Sequence, residues 1–304
     1  MKVAFLISAH SDPTQLGRLI HALNDRENHI FVHIDQKVDA KPFVDAVAES
    51  DRAFCTFIEE RYWVQWGGFS MVRFQRALLR ACVQSGISFD RVFFLSGQDY
   101  PLKPVAAIKA ELEKEPEREY FLGLNLSDSA VPEKQKDRFR LYHFGRNVRV
   151  RSYKLKMLCS GSLRMLMKVL PLRKKNYIEV CGQRWAVYFG SAFMCMTFEL
   201  AKYILGEMEG NKAVMDYFKY SFAPDELVIP TIVYNSAFAA HTLGQQHEYK
   251  GLITLSPVMH FWYGKQIKVL DEGDYDELIR CGKMFGRKFQ TGRSEELIDR
   301  LSVI

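Results

Sequence analysis

The alternation of short apolar runs with amphipathic segments in the first hundred residues most constrains the fold of this chain. Apolar runs of strand length occupy residues 3–8, 30–34, 54–58 and 91–95. Between and after them, apolar residues recur at helical spacing, which predicts helices over residues 13–24, 70–83 and 105–113. Strands that alternate with helices indicate an α/β fold with a mostly parallel central sheet flanked by helices.

Polar segments follow three of the predicted strands. His10 follows the first strand, Asp35 the second, and Gly97 and Asp99 the fourth. Ligands of open α/β sheets bind outside the carboxyl ends of the strands, so we expect a binding site here. Each of these residues could also serve loop structure, Asp35 as a turn or N-cap residue and Gly97 by permitting an unusual backbone conformation.

The remainder of the chain is less regular. Residues 125–180 are basic and irregular, residues 185–206 predict a strand and a helix, and residues 270–301 predict mostly helix. Pro224 is expected to open a helix that runs to Tyr234, with Pro230 as a possible kink. Without repeats or a linker, we expect one domain over 1–304, with a ligand-binding half at 1–125 and a second half at 126–304.

The net charge of +6 comes from a local excess of basic residues between Lys134 and Lys175. Such a segment can contact phosphates, an anionic membrane surface or an acidic glycan, or it can be a solvated face. It matches no nucleic-acid recognition module, so we expect no nucleic-acid partner.

The six cysteines include no Cys-x-x-Cys pair, which argues against a zinc site. Their dispersed spacing indicates reduced, mostly buried thiols. The apolar run at residues 3–8 is too short to span a bilayer, so we expect a cytoplasmic protein, with peripheral membrane contact through the basic segment as an open alternative.

Six motifs in one order give the chain a family resemblance. It resembles the core-2/I-branching β-1,6-N-acetylglucosaminyltransferases, a family that includes the peptide O-xylosyltransferases. The motifs are Val32-His33-Ile34-Asp35-Gln36-Lys37, Trp66-Gly67-Gly68-Phe69-Ser70, Leu95-Ser96-Gly97-Gln98-Asp99-Tyr100-Pro101-Leu102, Phe189-Gly190-Ser191-Ala192-Phe193, Ala223-Pro224-Asp225-Glu226 and Met284-Phe285-Gly286-Arg287-Lys288-Phe289.

The resemblance implies a GT-A type nucleotide-sugar-binding fold and an inverting transferase with a UDP-sugar donor and a glycan or glycolipid acceptor. It also implies that no metal ion or other cofactor is needed. N-acetylglucosamine is the expected sugar and xylose the alternative. The compact length and the absence of an anchor favour a bacterial enzyme that acts on a surface-polysaccharide precursor.

Roles for individual residues also follow from the resemblance. Glu226 is the expected catalytic base, beside Asp225, whose charge would raise its pKa. Lys288 and Lys265 are expected to neutralise the diphosphate, with Lys268 as a rival for the second position. The other expected donor contacts are Asp35, His10, Gly97, Asp99 and Arg61, and the expected acceptor contacts are Trp262, Tyr263, Arg140 and Glu133.

The one Asp-x-Asp spacing that could hold a cation is Asp274-Tyr275-Asp276, and its place at the start of a predicted helix favours helix capping. A glycoside hydrolase would need two carboxylates that flank one bond, and the adjacent Asp225 and Glu226 make a poor pair. A non-catalytic glycan-binding protein with the same fold remains an alternative.

Overall fold

The computed structural model describes residues 1–147, 165, 172–262 and 266–303. Its strands in chain order are β1 (Val3–Ala9), β2 (Asn28–Ile34), β3 (Cys55–Phe57), β4 (Arg91–Ser96), β5 (Asp99–Pro101), β6 (Gly123–Asn125), β7 (Tyr177–Val180), β8 (Gln183–Ala186), β9 (Tyr188–Phe189), β10 (Cys195–Thr197), β11 (Gln245–Gln246), β12 (Met259–His260) and β13 (Phe285–Arg287).

The α-helices of the described residues are α1 (Pro13–Ala22), α2 (Lys41–Asp45), α3 (Ser70–Val83), α4 (Val105–Glu113), α5 (Glu133–Arg140), α6 (Phe198–Gly210), α7 (Lys212–Phe218), α8 (Val228–Tyr234), α9 (Tyr275–Arg280) and α10 (Glu295–Ser302). The predicted bounds of α3 and α4 are confirmed, and α1 ends two residues earlier than predicted.

The central sheet has the strand order β10-β4-β1-β2-β3. Strands β1, β2, β3 and β4 run parallel, and only β10 pairs antiparallel with its neighbour β4. The predicted α/β fold with a mostly parallel central sheet flanked by helices is therefore confirmed.

Both faces of the central sheet are buried. Leu6 of β1 belongs to an apolar cluster with residues of α3 and α6, whereas its neighbours Phe5 and Ile7 belong to a second cluster with residues of α1 and α4. Because successive side chains of a strand point to opposite faces, a strand covered on both sides is apolar throughout. This explains why β1 and β4 appear in the sequence as continuous apolar runs.

Two sequence predictions in the second half of the chain are wrong. Pro224–Glu226 forms a 3-10 turn and α8 begins only at Val228, so Pro230 lies in the first turn of α8, where its missing N–H is tolerated and no kink follows. Residues 270–301 are not mostly helical, because Phe285–Arg287 forms β13, which pairs with both β5 and β12.

Other predictions about the chain have different outcomes. The described cysteines are free, but only Cys82 and Cys195 are buried, while Cys181 is exposed, so the expectation of mostly buried thiols is wrong. No helix among the described residues is long and apolar enough to cross a membrane. Much of the basic segment, residues 148–164 and 166–171, lies outside the described residues.

Candidate active site

The parallel register brings the ends of three strands together. Ala9 of β1 lies beside Ile34 of β2, and Ser8 lies beside Ser96 of β4. His10, Asp35 and Gly97, which directly follow these strands, therefore lie at one edge of the sheet.

Gly97 is needed for space and not for an unusual backbone conformation. Its φ is outside the left-handed region, which corrects one of the alternatives drawn from the sequence. A Cβ at Gly97 would lie 2.9 Å from the Cβ of Ala9, and its N–H donates to Ser8 O at 2.9 Å. The chain after β4 can thus pass directly against the end of β1.

Asp35 is buried and already bonded within its own loop. Its Oδ1 accepts from the backbone N–H groups of Lys37 at 2.9 Å and Val64 at 3.3 Å, and its Oδ2 pairs with Lys37 Nζ at 3.1 Å. Arg61 donates to the carbonyls of the same loop, those of Ile34, Asp35 and Val38. Arg61 and Asp35 therefore fix the shape of the loop after β2.

His33, the residue before the carboxyl end of β2, is held in its neutral form. Its Nε2 accepts from the backbone N–H of Tyr62 at 3.0 Å, and its ring stacks with Phe74. Burial lowers the pKa of His33 to about 4. The histidine of the Val-His-Ile-Asp motif thus ties β2 to the loop that carries Arg61.

Asp99 positions an arginine that sequence reasoning missed as a site residue. Its carboxylate is fully buried and accepts from Ser96 N–H at 2.7 Å and from Arg287 Nη1 at 2.8 Å. The antiparallel pairing of β5 with β13 places these residues opposite each other. Burial raises the pKa of Asp99 to about 6, although Arg287 opposes the rise. The sequence did contain a signal for Arg287, because this residue directly precedes Lys288 in the sixth motif.

Basic groups converge on His10 at this edge. Burial lowers the pKa of His10, and the charges of Lys37, Lys288 and Arg287 lower it further, while Asp35 opposes them. Lys288 is half-buried, and burial together with Arg287 lowers its pKa. Among the described residues no carboxylate forms an ion pair with Lys288. The edge is therefore suited to an anion.

The rival lysine is already neutralised. Lys268 Nζ pairs with Asp274 at 2.5 Å and lies 5.4 Å from the ring centroid of Trp262. Asp274 also closes a capping box with Asp271 on the 3-10 turn Glu272–Asp274, although it makes no side-chain capping bond to α9. Trp262 is half-buried and packs edge-on against His260. Lys265 and Tyr263 lie outside the described residues.

A second wall of the site, here called the Glu226 wall, contains Glu226 together with Arg138 and Trp66. Glu226 keeps 16% of its side-chain exposure, and its Oε2 accepts from Arg138 Nη1 at 2.7 Å. Burial raises the pKa of Glu226, and Arg138 opposes the rise. Asp225 is buried, with Oδ1 unbonded, and burial together with Glu226 raises its pKa to about 8. The site thus holds a carboxylate whose proton affinity is higher than usual.

Sequence reasoning also missed Arg138. Its guanidinium stacks over the ring of Phe189 at 4.6 Å and lies 5.6 Å from the ring centroid of Phe222. The predicted acceptor residues of the same helix, Glu133 and Arg140, pair with each other at 2.8 Å instead of with Glu226. Only the basic character of the segment was visible in the sequence, since the pairing with Glu226 joins residues 88 positions apart.

An exposed tryptophan lies on the same wall. Trp66 is 62% exposed, packs edge-on against Phe222 at 5.5 Å and has the Arg146 guanidinium 5.5 Å from its ring centroid. Gly67 O accepts from the N–H of Ala223, and a Cβ at Gly67 would lie 2.8 Å from the ring of Phe222. The Trp-Gly-Gly motif therefore braces the turn that precedes Glu226.

The Gly-Ser motif links the two walls. Gly190 N–H donates to the carbonyl of Glu226 at 3.0 Å, and the ring of Phe193 lies 4.7 Å from the Arg287 guanidinium. The hydroxyl of Ser191 accepts from Phe193 N–H and so holds this short segment in shape. Glu226 and the basic edge thus contact opposite ends of the same four residues.

A separate cleft of about 720 Å³ lies at the opposite, amino edge of the sheet, lined in part by Phe89, Arg91 and Thr197. None of the predicted site residues lines it. Since parallel sheets bind ligands at their carboxyl edge, we place the candidate active site at the basic edge and the Glu226 wall.

The comparison with protein families covers five of the six motifs. The model of the core-2/I-branching enzyme family matches residues 3–250. The chain belongs to this family. The matched range contains the strands of the carboxyl edge, Arg138 and Glu226, and it ends before β13 with Arg287.

Curated relatives of this core-2/I-branching chain are distant and come from animals. It is 24% identical over 230 residues to a zebrafish β-1,3-galactosyl-O-glycosyl-glycoprotein β-1,6-N-acetylglucosaminyltransferase 4, covering 74% of this chain and 48% of that protein. It is 21% identical over 299 residues to a human N-acetyllactosaminide β-1,6-N-acetylglucosaminyl-transferase, covering 95% and 68%. A Drosophila melanogaster xylosyltransferase is 26% identical over 124 residues, covering 40% and 14%.

The chain spans about half the length of the first of these relatives. Among solved structures, mouse xyloside xylosyltransferase 1 aligns over 94% of this chain and 97% of its own, with 11% identity and a TM-score of 0.37.

Proposed function

We propose that the protein is an inverting, metal-independent glycosyltransferase that moves N-acetylglucosamine from a UDP-sugar to a hydroxyl of a glycan acceptor. The observation that carries the proposal is the pairing of two unlike walls through residues 190–193. One wall holds a buried carboxylate beside an arginine, and the other holds basic groups at the carboxyl edge of the sheet.

Glu226 is the base in this proposal. The acceptor oxygen attacks the anomeric carbon as its proton passes to the Glu226 carboxylate, and the bond from that carbon to the UDP oxygen breaks. Attack opposite the leaving group inverts the anomeric centre. Burial raises the pKa of Glu226, which makes its carboxylate a better proton acceptor near neutral pH. Arg138, at 2.7 Å, keeps the carboxylate oriented and ionised before the transfer.

Lys288 and Arg287 are the proposed counter-charges for the departing UDP. Negative charge develops on the diphosphate as the bond breaks, and fixed cations stabilise it without rearranging. Arg287 is held by the buried Asp99, and Lys288 follows it at the end of β13. These fixed cations support a mechanism without a divalent ion. Lys265 stays a proposed second contact.

The rest of the donor lies on the same edge in this proposal. Lys37, whose ammonium pairs with the buried Asp35, and the exposed His10 face the same space as Lys288. We assign Asp35 to the nucleoside through its loop, which Arg61 braces by three hydrogen bonds. Gly97 and Asp99 contribute by close packing and by holding Arg287.

The acceptor enters on the Glu226 wall. Trp66 offers an exposed indole near the base, and Trp262 is a second aromatic candidate. Glu133 and Arg140 remain proposed acceptor contacts on the outer part of α5. The basic segment between 134 and 175 is a proposed contact for an anionic membrane or a lipid-linked acceptor.

The names of the relatives support N-acetylglucosamine as the transferred sugar, and the similarity to a xylosyltransferase supports UDP-xylose as the alternative donor. A screen of UDP-sugars for release of UDP, with and without glycan acceptors, distinguishes the two. A non-catalytic glycan-binding protein would release no UDP from any of them.

Replacement of Glu226 by Gln tests the assignment of the base. The amide keeps the shape but cannot take a proton, so we expect turnover to fall by about 10²- to 10⁴-fold while UDP binding changes little. Glu179→Gln, at an exposed position of β7, is the matched control and should keep wild-type turnover. Wild-type turnover in Glu226→Gln would show that another group is the base.

A further inference from the structure

A buried lysine outside the candidate active site has a function still to be assigned. Lys174 is 7% exposed, and its Nζ donates to Tyr217 O at 2.7 Å and to Ser221 Oγ at 3.0 Å. The rings of Tyr142 and Tyr217 each lie 5.2 Å from the ammonium. Among the described residues no carboxylate pairs with it. The lysine therefore sits in a cage of one carbonyl, one hydroxyl and two aromatic rings.

This arrangement is costly for a charged group. Removing an ammonium from water without a carboxylate partner disfavours its charged form. Burial accordingly lowers the pKa of Lys174 to about 7. An apolar side chain would fill the same space without this cost but could not bond to Tyr217 and Ser221. What the ammonium contributes is therefore its hydrogen bonds to Tyr217 and Ser221.

The connection joins two segments of the Glu226 wall. Lys174 N–H donates to Arg140 O at 2.9 Å, which ties the lysine to the carboxyl end of α5. Its ammonium holds Ser221, and the next residue, Phe222, donates its N–H to Arg138 O at 2.8 Å. Helix α5 carries Arg138, and the segment from Ser221 leads to Glu226.

We propose that Lys174 is a positioning residue for the proposed transferase: its buried ammonium fastens the segment that leads to Glu226 against α5 and thereby sets the contact between Arg138 and Glu226. Only the catalytic test of this inference rests on the proposed function. It assigns Lys174 no contact with either substrate. Loss of the proton weakens the attraction of Lys174 for the Tyr217 carbonyl and for both rings, so the hold depends on pH.

The other charged and titratable groups around the cage have partners of their own. Arg140 pairs with Glu133, Arg173 with Asp137, and Lys175 with Glu179. The neighbouring His143 contacts Asp137 O through Nε2, and burial raises the pKa of Tyr217 far above neutrality. Lys174 is therefore the proposed source of a change near pH 7 on this wall, with His143 and Asp225, whose pKa is raised to about 8, as competing sources.

Lys174→Met, with Lys175→Met as the matched control, tests the proposal. Lys175 is 61% exposed and points to Glu179 on the surface. In Lys174→Met we expect kcat at pH 6 to fall by about tenfold to a hundredfold, because small misplacements of a catalytic group have effects of this size. The donor KM and UDP affinity should change less than about twofold, because Lys174 has no assigned donor contact. Lys175→Met should match the wild type.

The pH profile adds a readout that a purely structural role would leave unchanged. Wild-type kcat should fall as the pH rises through about 7, the pKa of Lys174, and Lys174→Met should lack this fall. Wild-type kcat at pH 6 in Lys174→Met overturns the positioning role. Persistence of the fall in Lys174→Met assigns it to another group of this wall, such as His143 or Asp225, and overturns the pH dependence.

Amide hydrogen exchange separates this proposal from the proposed function. The N–H groups of Ser221 and Phe222 donate to Phe218 O and Arg138 O, and we expect both to exchange faster in Lys174→Met than in Lys175→Met. This holds even if no UDP-sugar is a substrate. Unchanged exchange overturns the fastening role. Should Lys174→Met fail to fold, Ser221→Ala removes one bond of the cage and should show the same faster exchange at Phe222.

Discussion

At the scale of single residues, the environment of Glu226 decides its chemistry. Burial raises its pKa, while Arg138 at 2.7 Å stabilises the ionised form. A base must be deprotonated before the reaction, and the charge of Arg138 favours that form. It must also hold the proton that it takes, and the pKa raised by burial favours that form. Burial and the charge of Glu226 raise the pKa of Asp225, the adjacent carboxyl with the unbonded Oδ1, to about 8, so the neighbouring carboxyl groups disfavour joint ionisation.

Arg138→Met should shift the pH dependence of catalysis. Without the guanidinium, the ionised form of Glu226 loses its closest stabilising charge, so its pKa rises further. Because activity is lost as the pH falls through the pKa of the base, the acid limb of kcat/KM should move upward by about one pH unit or more. Arg300→Met, which removes the surface partner of Glu272 instead, is the control. An acid limb at the wild-type pH in Arg138→Met would separate Arg138 from the base.

At the scale of elements, close packing at the strand ends shapes the basic edge. The end of β1 and the chain after β4 touch because Gly97 has no side chain. Similarly, a Cβ at Gly286 in β13 would lie 2.9 Å from Leu102, so β13 can pair closely with β5 and bring Arg287 to Asp99. Two glycines at points of close approach thus allow basic residues that lie far apart in the chain to come together at one edge of the sheet.

Gly97→Ala should destabilise the protein by about 1–3 kcal/mol, because the new methyl group is forced against Ala9 in a packed region. Gly206→Ala is the matched control. Gly206 lies in the interior of α6 with no atom within 4 Å of the added Cβ, and alanine there should stabilise by about 0.5–1 kcal/mol. Urea unfolding measures both free energies, and equal effects at the two sites would contradict the role of close packing at Gly97.

At the scale of the whole molecule, the proposed reaction depends on two walls that are distant in sequence. The basic edge combines residues at the ends of β1, β2 and β13, whereas the opposite wall combines the segment before α3, α5 and the turn at Pro224–Glu226. Residues 190–193 contact both walls. Binding of a nucleotide diphosphate at the basic edge should therefore stabilise the folded chain as a whole.

UDP should raise the melting temperature in the presence of a metal chelator, since a ligand at 100 times its Kd adds about 2.7 kcal/mol to folding stability. Lys288→Ala should weaken UDP binding by about tenfold to a hundredfold, the usual loss for a hydrogen bond to a charged group, and uridine binding much less. Lys268→Ala, whose ammonium already pairs with Asp274, is the control. A shift that appears only with manganese would contradict metal-free binding, and equal weakening of UDP and uridine would remove Lys288 from the diphosphate site.

Local patterns were enough to predict the strands and helices of the first hundred residues and the polar segments that follow the strands. Apolar periodicity is a local property, so the first four strands, α3 and α4 could be predicted, and the parallel sheet followed from their alternation. Strand β13 could not be predicted, because its pairing with β5 joins residues almost two hundred positions apart. The start of α8 was also missed, because the 3-10 turn before it is fixed by contacts with distant residues.

The pairing of the charged groups depends on the completed fold. Nothing local in the sequence relates Arg138 to Glu226, Arg287 to Asp99, or Lys174 to Ser221, since each pair is brought together by the packing of separate elements. Likewise the sequence offers Lys268 as a rival for the second diphosphate contact, but in the fold its ammonium is already paired with Asp274. Local sequence patterns determine which segments form strands and helices. The charge state of a buried group depends instead on neighbours that only the completed fold supplies.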